Sequence, residues 1–382
     1  MATKIGQMMS YVDGLIPPEH RDAFEQTMAK LQSAAPQSDP QAIRQLVEEQ
    51  LGAPVSELFT EWEDKPVASA SIGQVHKAKL ADGRVVAVKV QHPGIVEAMD
   101  ADLQNANVIE AILSLMGTAK FDSKRLTEEV KTRFREELDY ELEASRQKLF
   151  QDVHKDDPWI RIPKVVDERS SKRVFTTEWI EGLSFEDARK ASPQLRKQWA
   201  ETLWRFVYRA NLLGGLFNAD PHPGNYFFQE DGGVGFVDFG CVQPIENERL
   251  EYARKLHVAT HRGDREAFNE AACRMLNTRG GAYEQMVIEY ATACFRPIAD
   301  SPFHITQEFA GSLVEHFKKM AVSIVKNKND NFVPMPPGIL FINRLQFGFF
   351  SVLARLDVEA DYAAAERTFF QDYLTAAEAK RV

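Results

Sequence analysis

Two aspartates and one asparagine, Asp220, Asn225 and Asp238, have types and spacing that suit phosphoryl transfer. Asp220 precedes Asn225 by five residues in the turn-forming segment Asp-Pro-His-Pro-Gly-Asn, and Asp238 opens an Asp-Phe-Gly triplet further on. Phosphoryl transfer needs an acid that positions the attacking oxygen and oxygen ligands that hold magnesium. We therefore predict that Asp220 is a catalytic residue and that Asn225 and Asp238 bind Mg²⁺.

A β-hairpin is the element that must bring the two metal ligands together. Residues 226–229 and 234–237 are apolar runs rich in strand-forming residues, and the Glu-Asp-Gly-Gly segment between them has the composition of a turn. Such a hairpin would carry Asn225 and Asp238 to neighbouring strand ends, where both side chains reach one magnesium ion.

A loop and a lysine strand upstream supply what a nucleotide would need. Residues 68–75 match the protein-kinase phosphate loop G-x-G-x-x-G-x-V, with alanine at the first two glycine positions, and residues 86–89 are the lysine strand Val-Ala-Val-Lys. Because alanine restricts the backbone and keeps it further from the phosphates, nucleotide preference and turnover are expected to differ from those of a typical kinase. The predicted ATP-binding residues here are Ala68, Ser69, Ala70, Ser71, Gly73, Val75, Ala87 and Lys89, of which Lys89 is also catalytic.

Lys89 also needs an acidic partner on a helix, and the sequence offers more than one. We predict one long helix from about residue 122 to residue 150, on which Glu137 falls among the apolar positions while Asp139 and Glu143 share another face. Periodicity alone leaves both Glu137 and Glu143 open as the partner. Residues 174–182 form a predicted strand and turn at the place of a kinase hinge, where backbone groups near Glu178 and Ile180 would bind adenine.

Together these motifs resemble the UbiB family of atypical, protein-kinase-like proteins, also called AarF-domain kinases, which is associated with coenzyme Q biosynthesis. Four segments carry the resemblance: Lys-Ile-Gly-Gln at residues 4–7, the alanine-rich loop, residues 137–144, and the Asp-Pro-His-Pro-Gly-Asn and Asp-Phe-Gly pair. Asn218 departs from the family pattern, in which a histidine commonly takes that position, and this departure bears on the packing of the catalytic loop.

The resemblance also implies roles for the remaining polar motifs. The K-x-G-Q segment, with Lys4 and Gln7, is expected to fold over the site where a protein kinase would hold its peptide. Its lysine would meet Glu137 of an E-x-D motif that includes Asp139, which would leave Glu143 for Lys89.

The expected fold is α+β and bilobal, as in protein kinases. An N-terminal helical K-x-G-Q extension (1–60) precedes an N-lobe with a small antiparallel sheet and the long helix (61–178), and a mostly helical C-lobe follows (179–382). A C-lobe helix from residue 197 to residue 213 should deliver the chain to the catalytic loop, with its apolar face inward: Trp199, Leu203, Phe206, Val207 and Ala210.

Composition narrows the class of protein. The chain has 382 residues with 44% hydrophobic residues, enough for a large core, and its net charge of −10 argues against general nucleic-acid binding. Three scattered cysteines fit neither a disulfide framework nor a zinc site. No signal peptide or membrane span is recognisable, so the expected location is cytoplasmic or peripheral to a membrane. For residues 339–356 we favour an amphipathic or buried helix over a peripheral membrane contact through Phe341, Phe347, Phe349 and Phe350.

The function expected from the sequence is Mg²⁺-dependent use of ATP, as an ATPase or as a kinase of a quinone-like or lipid-derived small molecule. The alternative is a nucleotide-binding regulatory module with little turnover, which the alanines of the phosphate loop favour. A true protein kinase ranks last, because a K-x-G-Q segment over the site would exclude peptides. The sequence does not indicate an oligomeric state.

Overall fold

A five-stranded antiparallel sheet forms the core of the N-lobe. The computed structural model describes residues 37–70, 72–104, 128, 131, 132, 134–326 and 339–379, so Lys4, Gln7 and Ser71 lie outside the described residues. Its strands are β1 (Glu61–Trp62), β2 (Ala68–Ser69), β3 (Gly73–Lys79), β4 (Val85–Gln91) and β6 (Val174–Glu178). The sheet runs in the order β1-β3-β4-β6, and β2 pairs with the N-terminal part of β3. The predicted order of loop, strand, turn and lysine strand is confirmed.

One helix before the sheet shares the core of the N-lobe. Helix α1 (Pro40–Leu51) begins with Asp39 as its N-cap and proline in its first turn, and it ends at Gly52 with φ of +75°. Its buried residues pack against the alternating inward positions of β4 together with α2 (Val55–Leu58): Ile43, Leu46 and Val47 contact the cluster of Val86, Val88 and Val90. The short helix α3 (Ile95–Gln104) follows β4.

The predicted long helix from residue 122 to residue 150 is wrong at its centre. A helical stretch at residues 134–137 ends in a turn at Leu138, and a second helix, α4 (Tyr140–His154), begins after Asp139. Asp139 has an extended backbone, and its carboxylate accepts a hydrogen bond from the N–H of Leu142, so it is an N-cap. This side-chain bond offers the backbone an alternative to helix, and it places Glu137 and Glu143 on different helical pieces.

Short strands and long helices form the C-lobe. Strands β5 (Ile160–Arg161), β9 (Val234–Phe236) and β8 (Tyr226–Phe228) form one sheet, while β7 (Leu216–Asn218) pairs with β10 (Val242–Pro244). Strand β11 (Phe303–His304) pairs with β12 (Glu359–Ala360). The helices are α5 (Phe185–Ala188), α6 (Pro193–Arg209), α7 (Asn247–Arg262), α8 (Arg265–Met275), α9 (Gly281–Ala299), α10 (Gln307–Lys326), α11 (Ile339–Leu356) and α12 (Tyr362–Ala379).

Helix α6 organises the C-lobe core and leads to the catalytic loop. It begins earlier than predicted because Ser192 caps it and proline occupies its first turn, and it passes into a π-helical turn, Ala210–Gly214, before β7. All five predicted inward residues are buried. The Phe206 and Phe236 rings stack with centroids 3.6 Å apart, which fixes the hairpin of β8 and β9 against the helix.

Three phenylalanines of helix α11 belong to this core, while the side chain of Phe341 lies outside the described part of the chain. Phe347, Phe349 and Phe350 are buried in the main C-lobe cluster beside Trp204 and Phe309, so these rings are not available to a lipid surface. The interpretation of α11 as a buried helix is therefore confirmed at these positions, and the membrane contact through them is wrong. Within the described part of the chain, no helix has the length and hydropathy needed to cross a bilayer.

Candidate nucleotide and magnesium site

The β8–β9 hairpin brings Asn225 and Asp238 to the same edge, as the sequence predicted. Tyr226 pairs with Phe236 in the antiparallel register, and the N–H of Val237 donates to the carbonyl of Asn225 over 3.0 Å. Asn225 ends a short 3₁₀ turn that His222 caps by accepting from the N–H of Gly224. The hydrogen bonds of the hairpin therefore fix the backbone positions of Asn225 and Asp238. His222 has a structural role in the loop.

Asp238 has a backbone conformation that is unusual for a residue other than glycine. Its φ is +72°, in the left-handed region that aspartate and asparagine tolerate better than most side chains. One carboxylate oxygen accepts from the N–H of Gly240 over 3.1 Å, and the other lies 3.7 Å from the Lys89 Nζ. Strained backbone of this kind is concentrated at functional sites because the surroundings hold it in place.

Lys89 and Glu143 form an ion pair between β4 and α4. The Lys89 ammonium donates to both Glu143 oxygens over 2.9 and 3.0 Å, and the Glu143 side chain is only 4% exposed. Burial disfavours the charge on Lys89, but the carboxylates of Asp238 and Glu143 outweigh it and raise the Lys89 pKa well above its ordinary value. Burial raises the pKa of Glu143, and the charge on Lys89 opposes that shift. Lys89 therefore remains a cation beside Asp238.

Glu137 lies elsewhere, next to the residue that follows the Asp-Phe-Gly triplet. The Cys241 thiol lies 3.4 Å from Glu137 Oε1 and donates to it. The structure thus places Glu143, and not Glu137, on Lys89, which resolves the choice that periodicity left open. Asp139 caps α4 and thereby aligns the helix that carries Glu143. The expected contact of Glu137 with Lys4 falls outside the described residues.

Arg146 is a site residue that sequence reasoning missed. It lies one helical turn after Glu143, is largely buried, and donates to the Gly240 carbonyl over 2.8 Å and to Glu136 Oε2 over 2.6 Å. Helix α4 therefore holds the Asp-Phe-Gly segment at Gly240 as well as Lys89. The sequence did contain a signal, since a charge three residues from Glu143 shares its helix face.

Asn218, the departure from the family pattern, bridges the two acidic segments. Its side-chain amide donates to the Asp238 carbonyl over 2.9 Å, while its side-chain oxygen accepts from the N–H of Asp220 over 3.1 Å. Asparagine can make both bonds because it carries a donor and an acceptor on one planar group. The packing of the catalytic loop is thus maintained by Asn218, and the side chain of Asp220 is half-buried at this junction.

The alanine-rich loop lies over the strand that precedes Lys89. Ala68 pairs with Val75 and Ser69 with Gln74, the Ala70 N–H donates to the Gly73 carbonyl, and Val75 pairs across the sheet with Lys89 itself. Gly73 cannot carry a side chain, because a Cβ there would lie 2.5 Å from the Val90 carbonyl oxygen and 2.7 Å from the Tyr140 hydroxyl. Ala87 pairs with Thr177 on the strand that leads to the hinge.

The hinge contacts the hairpin that carries the predicted metal ligands. The Glu178 N–H donates to the Lys164 carbonyl and the Trp179 N–H to the Val85 carbonyl, each over 2.9 Å, so the protein already uses these two donors. The Ile180 side chain covers Gly235 of β9, where a Cβ would lie 2.2 Å from Ile180 Cδ1. The Glu178 N–H is therefore removed from the hinge groups predicted to bind adenine, because it is already hydrogen-bonded within the protein.

The donor set at the hairpin end fits magnesium. Asn225 and Asp238 present amide and carboxylate oxygens, and Mg²⁺ is commonly held by one or two such groups together with substrate phosphates. The buried Asn225 Nδ2 has no hydrogen-bond partner among the described residues, so no hydrogen bond to them fixes this nitrogen. No cluster of three His, Cys, Asp or Glu side chains suited to a metal occurs in the described ranges, so a fully protein-ligated metal is not indicated there.

Comparison with known proteins identifies the family of this chain. Residues 30–272 match the model of the ABC1 atypical kinase-like domain, and the chain belongs to that family. It is 34% identical over 246 residues to the chloroplastic protein Activity of BC1 Complex Kinase 7 of Arabidopsis thaliana, which covers 64% of this chain and 35% of that protein. It is 27% identical to the mitochondrial atypical kinase COQ8 of Saccharomyces cerevisiae, over 97% of this chain and 73% of that protein.

A solved structure shows the same fold. The Mycobacterium tuberculosis protein Rv3197, determined in complex with erythromycin, superposes with a TM-score of 0.66 at 26% identity, over 97% of this chain and 92% of that one. The expected bilobal kinase-like fold and the AarF-type family are therefore confirmed. The chain spans about a third of the length of the first two curated relatives, with 35% and 36% covered.

Proposed function

We propose that this protein binds ATP with Mg²⁺ and cleaves the γ-phosphate. The observation that carries the proposal is the charged arrangement of Lys89, Glu143 and Asp238, in which a buried lysine is paired on one side and lies 3.7 Å from a second carboxylate on the other. A structural ion pair alone would not need the second carboxylate in a strained conformation. Positioning and charge neutralisation are the main catalytic effects in phosphoryl transfer.

Each residue has a defined task in this proposal. Lys89 holds the α- and β-phosphates, and Glu143 keeps its ammonium aimed into the cleft. Asn225 and Asp238 supply oxygen ligands for Mg²⁺, which neutralises phosphate charge when bound. Asp220 positions the attacking hydroxyl or water, and Asn218 fixes its backbone. The Ile180 N–H is left as the hinge donor for adenine, and Ala68, Ser69, Ala70 and Ser71 cover the phosphates.

The phosphate acceptor is proposed to be a quinone-like or lipid-derived small molecule, or water. This follows from the resemblance to the coenzyme Q type and from the expected K-x-G-Q cover over a peptide site, with Lys4, Gln7, Glu137 and Asp139 as its residues. The second candidate is a regulatory nucleotide-binding module. The alanines at positions 68 and 70 favour it, since they limit how closely the loop backbone can approach phosphates.

Replacement of Asp220 separates these two candidates. We expect Asp220→Asn to bind Mg²⁺-ATP with nearly unchanged affinity but to lose turnover by about 10²–10⁴-fold, as for a removed acid–base group. ATP hydrolysis would be followed for both proteins alone, with lipid vesicles and with a quinone-like phenol. A wild-type chain that binds ATP tightly yet hydrolyses none under every condition would support the regulatory module instead.

Replacement of Arg146 tests whether helix α4 positions the Asp-Phe-Gly segment that carries Asp238. Arg146→Met leaves the Gly240 carbonyl and Glu136 without their charged donor. The lost hydrogen-bond free energy is about 1.5–3 kcal/mol. We expect Mg²⁺-ATP affinity to fall roughly 10- to 100-fold, while Arg146→Lys loses less because it keeps one charged donor. Magnesium titrations by calorimetry would measure this, with the exposed Arg189→Met as the control. Equal affinities for Arg146→Met and wild type would contradict the positioning role.

A further inference from the structure

A chain of hydrogen bonds joins the segment before helix α1 to the phosphate loop. The Ser38 hydroxyl lies 2.8 Å from His92 Nδ1, and His92 Nε2 lies 3.0 Å from the Ala70 carbonyl oxygen. A carbonyl can only accept, so Nε2 carries a proton, and in the neutral ring Nδ1 then accepts from the serine hydroxyl. His92 is buried and is therefore held in one tautomer with its donor on the phosphate loop.

Ser38 is itself fixed by a second, buried branch of this network. Its backbone N–H donates to Gln74 Oε1 over 2.9 Å, and the Gln74 amide lies 2.8 Å from His76 Nε2. His76 Nδ1 donates to the Glu63 carbonyl, so its Nε2 accepts from Gln74. Burial lowers the pKa of His76, which favours the neutral ring that this arrangement requires. The carbonyls of Ala70 and Glu63, at the two ends of the network, thus determine which ring nitrogen donates in His92 and in His76.

His92 contacts the phosphate loop at two places. Its side chain holds the Ala70 carbonyl, and its backbone N–H donates to the Ile72 carbonyl over 2.9 Å. The loop closes on itself between these points through the bond from the Ala70 N–H to the Gly73 carbonyl. Since phosphate binding by such a loop depends on where its backbone N–H groups point, a residue that holds the Ala70 and Ile72 carbonyls constrains that orientation.

We propose that His92 is the positioning residue of the phosphate loop and that Ser38 orients it, so that the segment entering α1 sets nucleotide affinity. This inference rests on the proposed nucleotide function. His92 acts through the Ala70 carbonyl and not by contact with the nucleotide. The consequence is a physical route by which a change ahead of α1 reaches the ATP site without altering Lys89, Glu143 or Asp238.

The test compares His92→Leu, His92→Gln and Ser38→Ala with the wild-type chain. Thr176→Val is the matched control, because it removes a buried side-chain bond to the Arg169 carbonyl in the same lobe but does not contact the loop. Thermal unfolding first establishes that each variant is folded. Amide hydrogen exchange of residues 68–75 without nucleotide and calorimetric titration with Mg²⁺-ATP are then measured.

His92→Leu is expected to speed exchange in residues 68–75 and to weaken Mg²⁺-ATP binding, each by about two- to tenfold, as for one lost hydrogen bond. His92→Gln should recover most of both, because its amide offers a donor for Ala70 and an acceptor for Ser38. Ser38→Ala should fall between them, and Thr176→Val should change neither. This pattern would support the inference.

Three results would overturn it: unchanged exchange in His92→Leu, an equal rise in Thr176→Val, or faster exchange with unchanged affinity. Failure of this inference alone would appear as tight wild-type ATP binding that the His92 and Ser38 variants leave unaltered. A wild-type chain that binds no ATP would instead overturn the proposed function, and the inference with it.

Discussion

Asp238→Asn is expected to reduce Mg²⁺-dependent ATP turnover by at least about 10²–10³-fold, the range seen when one preorganised electrostatic group is removed. Asparagine tolerates the left-handed backbone at φ of +72° and can still accept from the Gly240 N–H, so the local structure should be retained. The loss would then come from the missing charge, which serves both Mg²⁺ and the ammonium of Lys89 3.7 Å away.

A control in the same hairpin distinguishes the loss of the negative charge at Asp238 from the loss of a negative charge elsewhere in the hairpin. Asp231 lies in the turn between β8 and β9, pairs with Arg161 and is half-exposed, so Asp231→Asn removes the same charge at the far end. Exposed ion pairs of this kind contribute about 0–1 kcal/mol to stability. Steady-state hydrolysis should therefore be nearly normal in Asp231→Asn, and Asp238→Asn with full turnover would exclude Asp238 from the chemistry.

Glu366→Leu is expected to lower the free energy of unfolding by about 3–5 kcal/mol, because it breaks a buried charged cluster by removing its centre. Glu366 is fully buried on α12, and it accepts from His257 over 2.7 Å and from His261 over 3.0 Å, both on α7. The indole N–H of Trp204 lies 3.3 Å from its second oxygen. The variant leaves these three polar groups buried and without their acceptor.

The same cluster predicts how stability depends on pH. Burial alone would raise the pKa of Glu366, but the charge and hydrogen bond of His257, with the bond from His261, lower it to about 2 from an ordinary 4.5. A depressed pKa contributes stability above the unfolded value and loses it as the pH falls through the folded value. The wild-type chain should therefore lose this contribution between about pH 4.5 and pH 2.

Urea unfolding at pH 7 and at pH 3 would measure both effects. The difference between Glu366→Leu and wild type should shrink at the lower pH, since part of the wild-type advantage is then lost. Glu359→Leu, which replaces an exposed glutamate on β12, is the control and should change stability by less than about 1 kcal/mol. An unaltered midpoint for Glu366→Leu at pH 7 would show that the cluster does not stabilise the fold.

Local pairing made the relative position of the proposed metal ligands predictable. Asn225 and Asp238 are joined by a short hairpin whose turn residues and apolar strands are adjacent in sequence, and the lysine strand follows its loop in the same way. Family resemblance added the pairing of Lys89 with Glu143, which periodicity alone left open. The break at Asp139 was missed because one aspartate in a charge-rich helical run carries no visible sign that it caps a new helix.

Contacts between distant segments account for the remaining differences. Arg146 and Gly240 are 94 residues apart, and Glu366 and His257 are 109 apart, so their meeting depends on the packing of the lobes rather than on any local pattern. The Ser38–His92 contact spans 54 residues and joins two segments that no motif or periodicity connects. Only the tertiary structure identifies contacts of this kind.

A single-turnover reaction, with the chain in excess over labelled ATP, would show whether this protein cleaves the γ-phosphate. Conversion to ADP would be followed with Mg²⁺ present and, in parallel, with the metal chelated. The proposed function predicts ADP formation in the presence of Mg²⁺ and none after chelation. ATP that is bound in the presence of Mg²⁺ but remains intact, or ADP formation that does not depend on the metal, would contradict it.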